Sequence, residues 1–161
     1  MTTMTPAQQQ ALESVAGRAL TADDIAVLDP LIAWDNRQDV SIAAHLSIGR
    51  TRSVHVPIAD LQAHMQTIGI WWMLKQVAAD PQHPGQQAAA AVLEVASARY
   101  DNVDIELSFV GYVFGSLVTA GLMSADDLAA IRAMGRIADP LHYNTVSDAL
   151  NRAEGRMTFG G

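Results

Sequence analysis

No stretch of this chain alternates apolar and polar residues long enough to specify a strand. Apolar positions fall instead in helix-sized blocks, opened by side-chain oxygens and closed by glycine or proline. The free amides of a first helical turn need an acceptor, and three sites supply one in sequence. Thr5-Pro6 places a cap before a proline at the first helical position and predicts a helix running toward Arg18. Thr21-Ala-Asp-Asp24 and Ser124-Ala-Asp-Asp127 each set a carboxylate three residues after a hydroxyl. They predict helices over 22–34, interrupted near Asp29-Pro30, and over 125–134, closed by Gly135. Further helices are expected at 39–47, 57–67, 69–79, 86–100, 103–121 and 145–153. The alanine-rich run from Gln86 favours helix, whereas Asp80-Pro-Gln-His-Pro-Gly85 is a loop. Only Thr51–Val56 has extended character. The pattern therefore predicts an all-α fold: a compact, single-domain bundle of seven to nine short helices over 1–161, with 103–121 at its centre.

A weak internal echo relates 21–50 to 124–156. Thr21-Ala-Asp-Asp-Ile-Ala-Val-Leu28 returns as Ser124-Ala-Asp-Asp-Leu-Ala-Ala-Ile131, and Val40-Ser-Ile-Ala through Arg50 as Val146-Ser-Asp-Ala through Arg156. Either a helical unit is duplicated, or capped amphipathic helix pairs simply look alike.

Composition narrows the function. At 161 residues the chain has the size of one domain. Half of its residues are apolar and 17% are charged, against a typical charged fraction of about 25%, so some apolar surface is expected to meet a partner. A net charge of −7 without any basic run argues against a nucleic-acid footprint. The absence of cysteine removes disulfides, thiolate nucleophiles and cysteine metal sites, and suits a reducing cytoplasm. No secretory signal opens the chain. The uncharged stretch 107–123 is short of the ~20 residues a spanning helix needs and reads as a buried core helix, with a membrane segment as the alternative.

The five histidines lack metal-ligand spacing, and no nucleophile elbow, phosphate loop or other catalytic arrangement is present. No enzyme activity, metal, cofactor or small-molecule substrate is expected. Gly111-Tyr-Val-Phe-Gly115 reads as a close-packing pair that lets a neighbouring helix approach. Residues 39–54 resemble a helix-turn-helix whose DNA contacts would be Arg50, Thr51, Arg52 and Ser53. Against it, the residue before Pro57 disfavours the α region and leaves the second helix barely a turn long. The most hydrophobic short run is Ile68–Leu74, with Ile70, Trp71, Trp72 and Met73 as the candidate protein interface. Neighbouring helical residues differ by ~100°, so one tryptophan should face the core and the other a second layer or a partner.

The order of features also resembles a group of proteins. Met4-Thr-Pro-Ala-Gln8, Ile42-Ala-Ala-His-Leu-Ser47, Arg50-Thr-Arg-Ser-Val-His-Val-Pro-Ile58, Ile70-Trp-Trp72 and Val146-Ser-Asp-Ala-Leu-Asn151 are similar to stretches of small, uncharacterised helical proteins from the late, structural gene blocks of tailed bacteriophages. That resemblance implies a virion-associated or assembly role, in the tail, a tail-fibre junction or a head–tail accessory. It implies synthesis in the host cytoplasm and packing against other virion proteins or copies of itself, without nucleic acid or membrane. It also recasts residues 39–54 as a structural helix followed by an extended connector. A DNA-binding regulator using those residues is the alternative.

Overall fold

The structure, a computed structural model, describes residues 4–33 and 35–156. Trp34, the expected end of the second helix, lies outside them. Nine α-helices are described: α1 (Pro6–Ala16), α2 (Ala22–Leu28), α3 (Asp39–Leu46), α4 (Ile58–Thr67), α5 (Ile70–Ala79), α6 (Gln86–Val95), α7 (Ser108–Thr119), α8 (Ala125–Met134) and α9 (Tyr143–Ala153). Four short strands accompany them: β1 (Thr51–Ser53), β2 (Val56–Pro57), β3 (Asn102–Val103) and β4 (Arg136–Ala138). The fold is thus mainly helical but not purely so. β1 pairs with β4 and β2 with β3, and only β1 and β2 fall near the stretch whose sequence has extended character.

All three cap signals are realised. The Thr5 hydroxyl accepts from the Gln8 amide at 3.2 Å while the Gln8 side chain accepts from the Thr5 amide at 2.8 Å. Thr21 with Asp24, and Ser124 with Asp127, repeat this reciprocal box. Pro30 ends α2 in a 3-10 turn, Asp29–Leu31, because its ring removes an amide donor.

Contacts group the chain into two compact units, Met1–Thr51 with Ala138–Gly161, and Arg52–Ile137. The first has its own core, in which Leu12, Leu28, Ile42, Leu46, Val146 and Leu150 are fully buried. Beside that core the Arg37 guanidinium meets Asp39 at 2.7 Å, Asn151 at 2.8 Å and Glu154 at 3.2 Å, and Glu154 also accepts from Gln8 at 2.8 Å. The charge is shared among partners, as a nearly buried arginine requires. The echoed segments differ in burial: Val40 is exposed where Val146 is buried, and Ile42 is buried where Asp148 is half-buried. α2 and α3 lie in the first unit, whereas α8 lies in the second.

In the second unit, α4 to α8 pack in sequence order around Leu61, Met65, Leu74, Val92, Phe114 and Leu117. Val56 pairs with Val103 and Pro57 with Asn102. This short ladder explains two departures from the expected helices. α6 stops at Val95 rather than 100, because the chain must extend into β3; the Gln62 amide caps the Ala96 carbonyl at 2.6 Å. α7 starts at Ser108 rather than 103, because Val103 is in β3 and Asp104 closes a turn by accepting from the Glu106 amide at 3.0 Å. Nor is α7 a wholly buried centre. Val110, Val113, Phe114 and Leu117 are buried, yet Phe109 is 67% and Tyr112 76% exposed. No described helix is long and apolar enough to cross a membrane.

Candidate interaction surface

The run 70–73 divides as helical geometry requires. Ile70 and Trp71 are buried, Met73 packs half-buried against the core, and Trp72 is 61% exposed. Trp72 does not head a broad apolar face. The Lys75 ammonium lies 4.8 Å above its ring and 5.1 Å from that of Trp71, a cation–π contact, and Lys75 and Gln76 on the same helix are exposed.

Residues 39–54 do not form a helix-turn-helix. After α3 and a turn at Gly49, the second helix is replaced by strand β1. Arg50 is spent inside the first unit: it donates to the Asp139 carboxylate at 2.8 Å and to the Val15 and Ala16 carbonyls at the end of α1, each at 3.3 Å. Cationic side chains suit such carbonyls. Thr51 opens β1, Arg52 is exposed, and the Ser53 hydroxyl donates to Glu106 at 2.8 Å. The Arg136 guanidinium, and after it the Ser53 hydroxyl, hold the Glu106 carboxyl below its ordinary value. No recognition helix is left for base reading.

The larger apolar surface lies elsewhere in the second unit, along the seam of α6 and α7. Tyr100 is 53%, Leu107 55%, Phe109 67% and Tyr112 76% exposed. At about 200 Å² per large side chain these exposures leave on the order of 500 Å² uncovered, the size at which patches mark contact sites. The seam is also concave. Towards the end of α6, Val95, Val103 and Val110 floor a cavity of about 350 Å³ walled by Tyr100, Leu107 and Phe109. Towards its start, Ala88, Ala91, Gly115 and Thr119 line a shallower cavity of about 890 Å³ edged by Tyr112. Ala91 lines both, so the two cavities adjoin along the seam.

Sequence reasoning missed this surface, although its signal was present. α7 carries no charged side chain, and Phe109 and Tyr112 add two large rings to the side that also bears Ser108, Ser116 and Thr119, a helix face that is covered only if something packs on it. Phe109 and Tyr112 are three apart and share one helical face, flanking the buried row of Val110, Val113, Phe114 and Leu117. The close-packing reading of Gly111 and Gly115 also changes. A Cβ at either would meet nothing within 4 Å, so no helix of this chain approaches there among the described residues.

The titratable groups gather no further site. His45 bonds Asp24 at 2.9 Å, and the rings of His83 and His142 accept from nearby backbone amides. Among the described residues no three histidine, aspartate or glutamate side chains group as a metal site. Comparison with known proteins finds no matching family model, no matching characterised protein and no matching solved structure.

Proposed function

We propose that this chain is a structural assembly protein of a bacteriophage particle, working by packing against other proteins rather than by catalysis. The observation that carries the packing role is the exposed cluster of Tyr100, Leu107, Phe109 and Tyr112 around a concave seam. Contact hot spots concentrate in large aromatic side chains seated in or beside pockets, and a chain with only 17% charged residues has little polar surface with which to keep such a patch solvated. The virion setting draws on the resemblance of the Met4–Gln8, Ile42–Ser47, Arg50–Ile58 and Val146–Asn151 stretches to late-gene phage proteins. A tail, tail-fibre junction or head–tail position suits a small accessory of this kind.

The direct test is mass spectrometry of density-purified particles, and of their assembly intermediates, from the phage whose genome encodes the chain. The protein should be found at a fixed copy number per particle or per intermediate. Absence from both would end the virion reading, while a partner captured outside particles through the α6–α7 seam would keep the packing role alone.

A further inference from the structure

We propose that this protein opens in a fixed order: the first unit comes apart while the second stays folded, and the second opens only in molecules whose first unit is already open. The order follows from how the chain is threaded through the two units.

The second unit is one continuous stretch, Arg52–Ile137, whereas the first is assembled from two pieces, Met1–Thr51 and Ala138–Gly161. The core of the second, from Val56 to Ile131, uses no residue outside its own stretch. The core of the first cannot form from either piece alone. α1 and α3 both pack on α9, and Leu12, Ile42 and Leu46 share their cluster with Val146 and Leu150. The polar joints span the same gap. Arg37 reaches Asn151 at 2.8 Å and Glu154 at 3.2 Å, and Gln8 reaches Glu154 at 2.8 Å. Arg50 meets Asp139 at 2.8 Å.

The second unit is what holds the two pieces side by side. The chain leaves the first unit through β1 and returns through β4, and these strands pair. The Arg50 carbonyl accepts from the Asp139 amide at 3.1 Å, and the Gly135 carbonyl from the Val54 amide at 2.8 Å. Within the second unit Glu106 fastens both strands, accepting from Arg136 at 2.7 Å and from the Ser53 hydroxyl at 2.8 Å. While that unit is folded, the ends of the two pieces start as neighbours. Once it unfolds, Arg50 and Asp139 become the ends of a flexible loop, 89 residues apart in sequence, and closing it costs a factor on the order of 10³ in the folding equilibrium. Folding constants of small domains begin near ~10³, so this factor is enough to unfold the first unit. No such penalty runs the other way. Opening the first unit leaves the core of the second and the Glu106 contacts in place. The seam of α6 and α7 belongs to the second unit, so it keeps its shape while α1, α2, α3 and α9 are released.

The test is native-state hydrogen exchange of the whole protein, followed amide by amide by NMR where rates report opening equilibria. In the parent, the slowest amides of α1, α3 and α9 should exchange at least ~10-fold faster than the slowest of α5 and α7. Two matched variants then separate the possible schemes. Ile42 in the first core and Ile131 in the second are both fully buried, and Ile→Val at either should raise an opening constant about 2–10-fold. Because the second unit opens only after the first, Ile42→Val should speed the slowest amides of both units by one common factor. Ile131→Val should speed only those of α5 and α7. An Ile42→Val effect confined to α1, α3 and α9 would mean that the units open independently. An Ile131→Val effect that reaches α1 and α9 would mean a single cooperative body. First-unit amides as slow as those of α5 and α7 in the parent would remove the order without any variant. Each of these three results would overturn the inference.

Discussion

Gly115→Ala should make this protein more stable, and by a predictable amount. Gly115 lies in the interior of α7, where its carbonyl still accepts from the Thr119 hydroxyl at 3.3 Å. Its backbone is outside the left-handed region, so alanine adopts it without strain. The added methyl meets no atom within 4 Å, so the fold has nothing to move. What remains is the helix preference of alanine and the reduced freedom of the unfolded chain, together about 0.5–1 kcal/mol. For a chain of this size, 1 kcal/mol corresponds to a rise in Tm of ~2–4 °C. Two controls bracket the effect. Gly135→Ala sets a Cβ 3.2 Å from that of Ile105 and should gain less or lose, and Gly69→Ala, at φ 80°, should lose about 1 kcal/mol or more. Urea unfolding followed by circular dichroism, with m unchanged between variants, reads all three. If Gly115→Ala destabilised the protein, the space above α7 would be filled within the chain itself, and the cavity there would not exist.

Three further outcomes follow from particular contacts. Trp71→Glu should fail to fold, since losing a buried ring costs about 3–5 kcal/mol before the carboxylate is desolvated; Trp72→Glu should stay within about 1 kcal/mol of the parent by thermal melt, and equal damage from both would mean Trp72 is core. Arg50→Ala should cost about 1 kcal/mol by releasing Asp139 and the end of α1, while the parent should bind no duplex tighter than about micromolar at physiological salt by fluorescence anisotropy; a tight, sequence-dependent complex would restore the regulator reading. The Asp24 carboxyl is held far below its ordinary value, first by Arg18, then by the Thr21 amide and hydroxyl and by His45. A lowered folded-state value stabilises above the unfolded value of about 3.9 and is lost as pH falls below it, so Asp24→Asn should flatten the fall of Tm between about pH 4 and pH 2, and an unchanged slope would show that the ion pair does not form.

Local chemistry was legible in the sequence and long-range chemistry was not. The caps at Thr5, Thr21 and Ser124 involve residues three apart, and all three formed. The opposite fates of Trp71 and Trp72 follow from helical rotation alone. The ends of α6 and α7 depend on the pairing of Val56 with Val103 and on Gln62 reaching Ala96, which no window of neighbouring residues contains. The same holds for Arg50, whose partner Asp139 is 89 residues away, and for the grouping of Ala138–Gly161 with Met1–Thr51. The seam was hidden for another reason: an uncharged helix reads the same whether its own chain or another protein covers it. Only the placed neighbours of Phe109, Tyr112, Gly111 and Gly115 distinguish the two.

The central claim, that the α6–α7 seam is covered by another protein in the working assembly, is tested most directly by thiol protection. The chain has no cysteine, so Thr119→Cys puts a single thiol at an exposed position lining the seam, and Gln66→Cys puts one at an exposed position on α4. Maleimide labelling should be fast for both in the isolated protein. In purified particles Thr119→Cys should be protected at least ~10-fold while Gln66→Cys stays reactive, because a helix packed at interior density excludes solvent from its contact face. Equal labelling of Thr119→Cys in isolation and in particles would contradict the account.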